Sequence, residues 1–429
     1  MRLAQLIHDR RWWVLFCVIL AALSATYIVR GFGIYYGHLI ADKKVGFADA
    51  QMRWSEVRYV LRRKNPFDVA FANDPAMKAC APLSQWSSGR DSSVDPDLGV
   101  PGGTVYPGWA YISALLFVGV PRAVLQNYYA AWMILSLAAM FAWGWTTGRM
   151  WGLRASLLFA LSLTAIAGWT RAIYLGNYPL LLVLLLIVTL LLAERGHPLW
   201  AGLVLGIVLL KPTLTGPFVL VFLVRRDFKT VAVAGIYLAA CSLVCWWLTR
   251  TDPLEMTRQM FAAGRVWVSG GYGPVQYLIR LGAAPQNATL IIGLLGFVLG
   301  VAAMVLARTK DLLVLFGIAS IIARLWSYHY YYDDGVMLFA LIALAVMAMR
   351  TNDSLLTLAF LAMGASLWAP AKLTETHLIV QLLQIVIWIA VVVVLVQHER
   401  ARRNEGAQLM KPGNSVSDMI GEPLESTDG

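Results

Sequence analysis

Three short stretches of this chain carry residue types that could do chemistry. FADAQMRWSEVRYVLRRKNPFD (47–68) holds Asp49 with Arg53 and Arg58, LLKPTL (209–214) holds Lys211, and SYHYYYDD (327–334) holds His329 among tyrosines. A positioned carboxylate such as Asp49 can take the proton of a hydroxyl nucleophile, a device worth about 10²–10⁴-fold in rate. Arg53, Arg58, Arg171, Lys211 and His329 can meet a leaving group that carries negative charge away. Lys211 is the most informative, because it sits beside Pro212 between two apolar runs, and an ionisable residue at membrane depth marks function by default. The plainer alternative is a lysine snorkelling from a hairpin tip. Tyr328, Tyr330, Tyr331 and Tyr332 are equally compatible with an interfacial aromatic belt and with a stacking platform. Asp333 and Asp334 beside His329, and the DPD at 95–97, raise the question of a divalent ion; we assign no metal site.

The elements that must hold these residues are membrane helices. Of 429 residues 59% are hydrophobic and only 14% charged, and the mean hydropathy is +0.65, far from the balance of a soluble domain. Apolar runs recur from Trp12 almost to Gln397, at lengths near the roughly 20 residues that cross a hydrocarbon layer about 30 Å thick. No strand-like alternation competes, which excludes a transmembrane barrel. The net charge of +11 reports membrane topology rather than nucleic-acid binding, since most Lys and Arg stand at segment ends. Cys17, Cys241 and Cys245 lie in apolar runs and Cys80 in a polar loop, with no CxxC, so neither a disulfide framework nor a Cys metal site is expected. The N-terminal apolar run reads as a first span rather than a cleaved signal, because it is long and further spans follow.

Twelve spans are expected, at about 12–34, 124–147, 155–172, 178–193, 197–210, 213–224, 230–249, 288–308, 311–327, 335–349, 354–370 and 377–397, with a short apolar piece at 106–121 that only dips into the membrane. The basic clusters from Arg10/Arg11 to Arg400/Arg402/Arg403 then share the cytoplasmic side with both termini. The first outer loop covers 35–123, within a catalytic membrane domain over 1–400. Residues 401–429 read as a disordered cytoplasmic tail. Residues 49–64 form an interfacial helix in this reading, with Trp54, Val57 and Leu61 toward acyl chains. Asp49 and Arg53, four apart, are placed to pair, or Asp49 simply caps the helix. Pro66 ends the helix before NPFD. In the 250–287 loop, Trp267, Tyr272 and Tyr277 among Gly270, Gly271 and Gly273 suggest either a flexible lid or an interfacial helix and loop.

The ordered set Asp49, NPFD (65–68), VYPGWAYISALLF (105–117), GNYP (176–179), the span with KP at Lys211–Pro212, and SYHYYYDDGVML (327–338) resembles glycosyltransferase family 87. The likeness runs from about 45 to 340. It departs where the family has NPYD, YPP and GQ: here stand NPFD, YPG at Tyr106-Pro107-Gly108, and GN at Gly176-Asn177. The resemblance implies an all-α polytopic GT-C-type fold of about twelve spans. It further implies an inverting hexosyltransferase that moves a monosaccharide, mannose by default, from a polyprenyl-phosphate donor to an envelope glycolipid or glycan acceptor. Asp49 would be the base; Arg53, Arg58, Arg171, Asn177, Lys211 and His329 would bind donor phosphate or substrate; Tyr106, Trp267, Tyr328 and Tyr330 would touch sugar or acceptor. No cofactor is implied, nor any nucleic acid, and the site would face the extracytoplasmic side of the inner or plasma membrane.

Two other classes use similar chains. A lipid-linked-sugar flippase or transporter would be expected to show repeats and midplane charges, and neither is visible. An O-antigen polymerase or ligase usually carries its large outer loop late in the chain, whereas the largest loop here comes first.

Overall fold

A computed structural model of the protein describes residues 2–40, 47–80, 91–102, 105–268, 270–307, 309 and 311–409. Among these, regular structure is helical apart from one bridge between Tyr272 and His329. Helices α1 (Leu3–His8) and α2 (Arg10–Ile40) open the chain, and the first connection folds into α3 (Ala48–Leu61), α4 (Pro66–Asn73), α5 (Pro75–Cys80) and α6 (Gly108–Val118). Next come α7 (Arg122–Gly148), α8 (Leu153–Thr164), α9 (Gly168–Leu175), α10 (Pro179–Glu194), α11 (Pro198–Val208), α12 (Pro212–Val224) and α13 (Phe228–Thr249). Two helices of the second connection, α14 (Pro253–Val268) and α15 (Pro274–Arg280), precede α16 (Pro285–Ala307) and α17 (Leu312–Leu325). A 3₁₀ segment at Tyr331–Met337 runs into α18 (Leu338–Thr351), followed by α19 (Ser354–Trp368), α20 (Ala371–Thr376) and α21 (Leu378–Leu409).

The ends of these helices are written locally. Proline opens α4, α10, α11, α12 and α15, where its fixed φ suits the first turn and its missing N–H costs nothing. Asp227, Asp311 and Asp353 cap α13, α17 and α19 by accepting first-turn N–H groups, satisfying donors that a helix start leaves unpaired.

Helices that are apolar all round must be buried or face lipid, and both kinds occur. α10, α17 and α18 are buried on nearly every side, whereas α2, α13, α16 and α21 turn leucines, valines and isoleucines outward. α11 seats against α13 through Gly202 and Gly206; a Cβ at Gly202 would lie 2.5 Å from the Thr230 carbonyl oxygen. This is the small-residue device that lets membrane helices approach closely.

Among the described residues, six helices are long and apolar enough to span a membrane, and α8 with α9, bent by 55°, makes a seventh if the pair is one span. The protein is therefore a multi-pass membrane protein. Five of the twelve expected spans correspond to shorter apolar helices, α10, α11, α12, α17 and α19. The apolar run at 106–121 forms α6, whose 11 residues reach about 16 Å at 1.5 Å each. At the C-terminus, α21 continues to Leu409, into the segment expected to be a tail; residues 410–429 lie outside the described residues.

Successive apolar helices reverse direction, so their connections fall alternately at two ends. At one end, Arg154 donates to the carbonyls of Ile7 and His8, and Arg350 pairs with Asp311 at 2.8 Å. At the other end meet the start of α3, the α9–α10 junction, the α11–α12 break, α14 and α15, the 326–333 segment and α20. Every stretch picked out above for its chemistry lies at this second end.

Two expectations for this end are corrected. α3 is not an interfacial helix. Ala50, Arg53, Ser55, Glu56, Val57, Tyr59 and Val60 are buried, and α6, α9 and α13 pack against it. Its charges permit this because they are satisfied internally: Arg53 pairs with Glu56, and Arg58 donates to the Gly119 and Val120 carbonyls. The 250–287 segment is two anchored helices rather than a free lid. The Asn65 amide donates to Gln259 on α14, which donates in turn to Asp68, and the Tyr272 N–H donates to the His329 carbonyl at 2.6 Å. The NPFD stretch is thus a clasp between the two connections.

Candidate active site

The position of Asp49 follows from one contact between helices. α9 ends at Gly176 in the left-handed region, φ +65°, a conformation that costs a non-glycine residue about 1–2 kcal/mol. A Cβ there would also stand 3.0 Å from the Cβ of Ala50. Phe47 begins α3 by donating its N–H to the Tyr174 carbonyl at 2.7 Å. With Ala50 against Gly176, the preceding Asp49 meets the following Asn177, whose side-chain amide donates to the carboxylate. Asp49 is half-buried in the first turn of α3, where a helix favours negative charge. Burial nevertheless dominates and pushes its pKa above the ordinary value, against the opposing effects of Arg53, the Asn177 amide, Lys211 and Arg171. Asp49 and Arg53 do not form the expected ion pair: Arg53 Nη1 reaches Glu56 Oε2 at 2.5 Å, and its guanidinium lies 4.5 Å from the centre of the Tyr106 ring.

Lys211 occupies the break between two short helices. A residue before proline avoids helical geometry, and Lys211 sits at φ −122°, ψ 75°. The carbonyls that the break frees find other partners, Val208 accepting from Thr215 Oγ1 and Leu209 from the Trp109 indole. Rather than snorkelling to water, Lys211 is buried, with Nζ 2.5 Å from Asp333 Oδ1 and 5.2 Å from the centre of the Tyr332 ring. Asp333 also contacts His329 Nδ1 at 3.1 Å and accepts from the Tyr330 N–H. Burial lowers the His329 pKa, with Asp333 opposing, which favours a neutral ring. Asp334 faces elsewhere, bonded to Arg324. Asp333 and Asp334 thus each serve a different cation, and among the described residues no three His, Cys, Asp or Glu side chains gather as a ligand set.

These pieces enclose a cavity of about 870 Å³. Asp49, Arg53, Tyr106, Arg171, Asn177, Lys211, Trp267, Tyr328, Tyr330 and Asp333 all line it. Arg171 is held there by Glu375 of α20 at 2.5 Å. Tyr330 stacks on Tyr332 and donates to the Trp267 carbonyl. Two residues expected at the site are elsewhere. Arg58 lies against the Trp54 ring and is spent on backbone carbonyls, and His329 stands behind Asp333, buried and off the cavity wall. Sequence reasoning missed Tyr178 and Arg265 on the wall and Glu56 behind Arg53. The i, i+3 spacing of Arg53 and Glu56 was available as a signal for the last of these.

The cavity has two chemistries. Around Asp49 it is charged and aromatic. Along α16 it is bounded by Leu290, Leu294 and Phe297, spaced to share one face of a spanning helix. A polar, cation-lined chamber that opens onto an apolar helix face at one end of a membrane bundle has room for a molecule with one polar and one apolar end. The family model for glycosyltransferase family 87 matches residues 106–327, just over half of the chain, and the chain belongs to that family: it is a glycosyltransferase. No curated protein and no solved structure matches it.

Proposed function

We propose that the protein transfers a monosaccharide, mannose by the default of its family, from a polyprenyl-phosphate donor to the hydroxyl of an envelope glycolipid or glycan, on the extracytoplasmic side of the inner or plasma membrane. The observation that carries this reading is Asp49, half-buried on the wall of a cavity shared with Arg53, Arg171 and Lys211, and held by a neutral amide rather than by a salt bridge. A carboxylate so placed can accept the proton of the acceptor hydroxyl as that oxygen attacks the anomeric carbon. The carbon–oxygen bond to the lipid phosphate breaks in the same displacement, with inversion, and the phosphate leaves with the bonding pair. Arg171 and Lys211 supply positive potential where that charge develops, and Tyr106, Trp267, Tyr328 and Tyr330 offer faces for sugar.

The apolar strip of α16 beside the charged chamber supports a lipid-borne donor. Orientation follows from charge: Arg149, Arg154, Arg195, Arg225, Arg226, Lys229 and Arg350 stand at the end opposite the cavity, the end that the positive-inside bias keeps cytoplasmic together with both termini. The bundle is of GT-C type in this reading, with the five short apolar helices completing twelve crossings, and no step is assigned to a metal ion or cofactor.

The test is transfer of labelled mannose from polyprenyl-phosphate mannose into lipid-extractable or envelope material, by membranes carrying the wild-type protein or Asp49→Asn. Activity in the first and none in the second supports donor and base together. Equal activity removes Asp49 from the mechanism. No transfer by wild type, with other sugars on the same carrier also failing, sinks the donor class.

A further inference from the structure

Of the four cations among the described residues that line the cavity, three are already matched: Arg53 with Glu56, Arg171 with Glu375 and Lys211 with Asp333. Arg265, on the last turn of α14, is the fourth. It is exposed, and among the described residues it has neither an ion pair nor a hydrogen bond. Two residues on, Trp267 lines the same cavity with its indole N–H buried and without an acceptor. Across from α14, the wall includes Pro285 and Gln286, the start of α16. In the first turn of this 23-residue helix Pro285 has no N–H and the Ala288 N–H donates to the Ala284 carbonyl at 2.9 Å, which leaves the N–H groups of Gln286 and Asn287 without a partner within the helix, and that end is electropositive.

These groups are donors with nothing to donate to, gathered at the end of a spanning helix. That is the level where a bilayer passes from hydrocarbon to headgroups, and below it α16 offers Leu290 and Leu294 to the cavity. An anion on an apolar chain fits such a place: its oxygens would take charge-assisted bonds from Arg265 while its chain follows the leucines.

We propose that Arg265 and Trp267, with the first turn of α16, form a binding station for the phosphate of a lipid-linked substrate, separate from the cations gathered around Asp49. The proposal rests on the transferase reading for its substrate and deepens it. The paired cations serve the reacting phosphate as charge develops, and Arg265 captures lipid phosphate in the ground state.

The test measures binding to purified full-length protein in detergent, using three probes: farnesyl phosphate, dioctanoyl phosphatidic acid and farnesol. Wild type should prefer at least one phosphate probe over farnesol. Arg265→Gln should weaken that probe by roughly tenfold or more, the scale of a lost charged hydrogen bond, and leave farnesol unchanged; Arg265→Lys should recover part of the loss, since charge remains without the fork. Loss confined to farnesyl phosphate identifies the isoprenoid substrate as the occupant, and loss confined to phosphatidic acid a phospholipid headgroup. Equal binding of both phosphates by wild type and Arg265→Gln overturns the station, as does a wild type that prefers neither. Transfer is scored separately. Arg265-dependent phosphate binding without any transfer would sink the transferase chemistry alone, whereas transfer with donor and acceptor KM values both untouched by Arg265→Gln would sink the station alone.

Discussion

The cavity holds two aspartates in opposite circumstances. Asp49 accepts a bond from the neutral amide of Asn177 and, among the described residues, has no ion pair. Asp333 is fixed by a lysine, a histidine and a backbone N–H. Both line the same space, yet they suit different work. A carboxylate tied to a buried ammonium has its negative charge already used, and protonating it would break the pair. One held by an amide is oriented while remaining free to take a proton. The contrast assigns Asp49 to chemistry and Asp333 to architecture, and substitutions can test that division.

The largest effect on rate is expected for Asp49→Asn. Removing a general base costs about 10²–10⁴-fold, so kcat should fall by that range while the thermal midpoint moves little, because the side chain is half-buried and bonded once. The mirror experiment is Asp333→Asn, which strands Lys211 as a buried cation. Breaking such a pair costs about 3–5 kcal/mol, and thermal unfolding in detergent should show it. Pairing the change with Lys211→Met should restore most of the lost stability. Were Asp333→Asn instead stable and inactive, the roles of the two aspartates would have to be exchanged.

The third prediction concerns what holds Asp49 in place. Gly176→Ala puts a side chain at φ +65°, a backbone strain of about 1–2 kcal/mol, and also 3.0 Å from the Cβ of Ala50, a contact that is relieved by moving α3 away from α9. Asn177 and Asp49 would then part. A fall in kcat with donor KM unchanged, together with a lowered midpoint, is the expected outcome. If stability drops while kcat survives, the α3–α9 contact does not position the base.

How much of this was legible beforehand divides along the same line. Local signals carried well. Pro66 and Pro212 broke helices where expected, Asp49 began a helix, and the apolar runs became apolar helices. What composition could not show was partnership across the chain. Asp49 and Arg53 have ideal spacing to pair, yet Arg53 turned to Glu56, three residues further along the same helix and buried beside it. Lys211 read as a phosphate ligand or a snorkelling tip because its carboxylate lies 122 residues away. Arg58 and His329 looked like ligands from their types alone, but Gly119 and Val120 claim the first and Asp333 the second. The short apolar helices are the least legible part: at 11 to 16 residues α10, α11 and α12 fall below the roughly 20 residues of an ordinary span, so length and composition alone do not mark them as crossings.

The smallest effect sharpens the comparison most, because it asks what the amide does to the base. A hydrogen bond to the charged form of a carboxylate stabilises that form, and the Asn177 amide lowers the Asp49 pKa, as do Arg53, Lys211 and Arg171, against the larger upward push of burial. Asn177→Ala removes one of these opposing effects, so the pKa rises further. A base is active when deprotonated, and the acid limb of kcat/KM should therefore move to higher pH. A bond worth about 0.5–1.5 kcal/mol corresponds to a shift of roughly half a unit to one unit, with activity regained above the new limb. A limb that stays in place would mean that the titrating group is not Asp49. A limb that moves the other way would mean that a cation, most directly Arg53 four residues along the helix, takes the position the amide had kept it from.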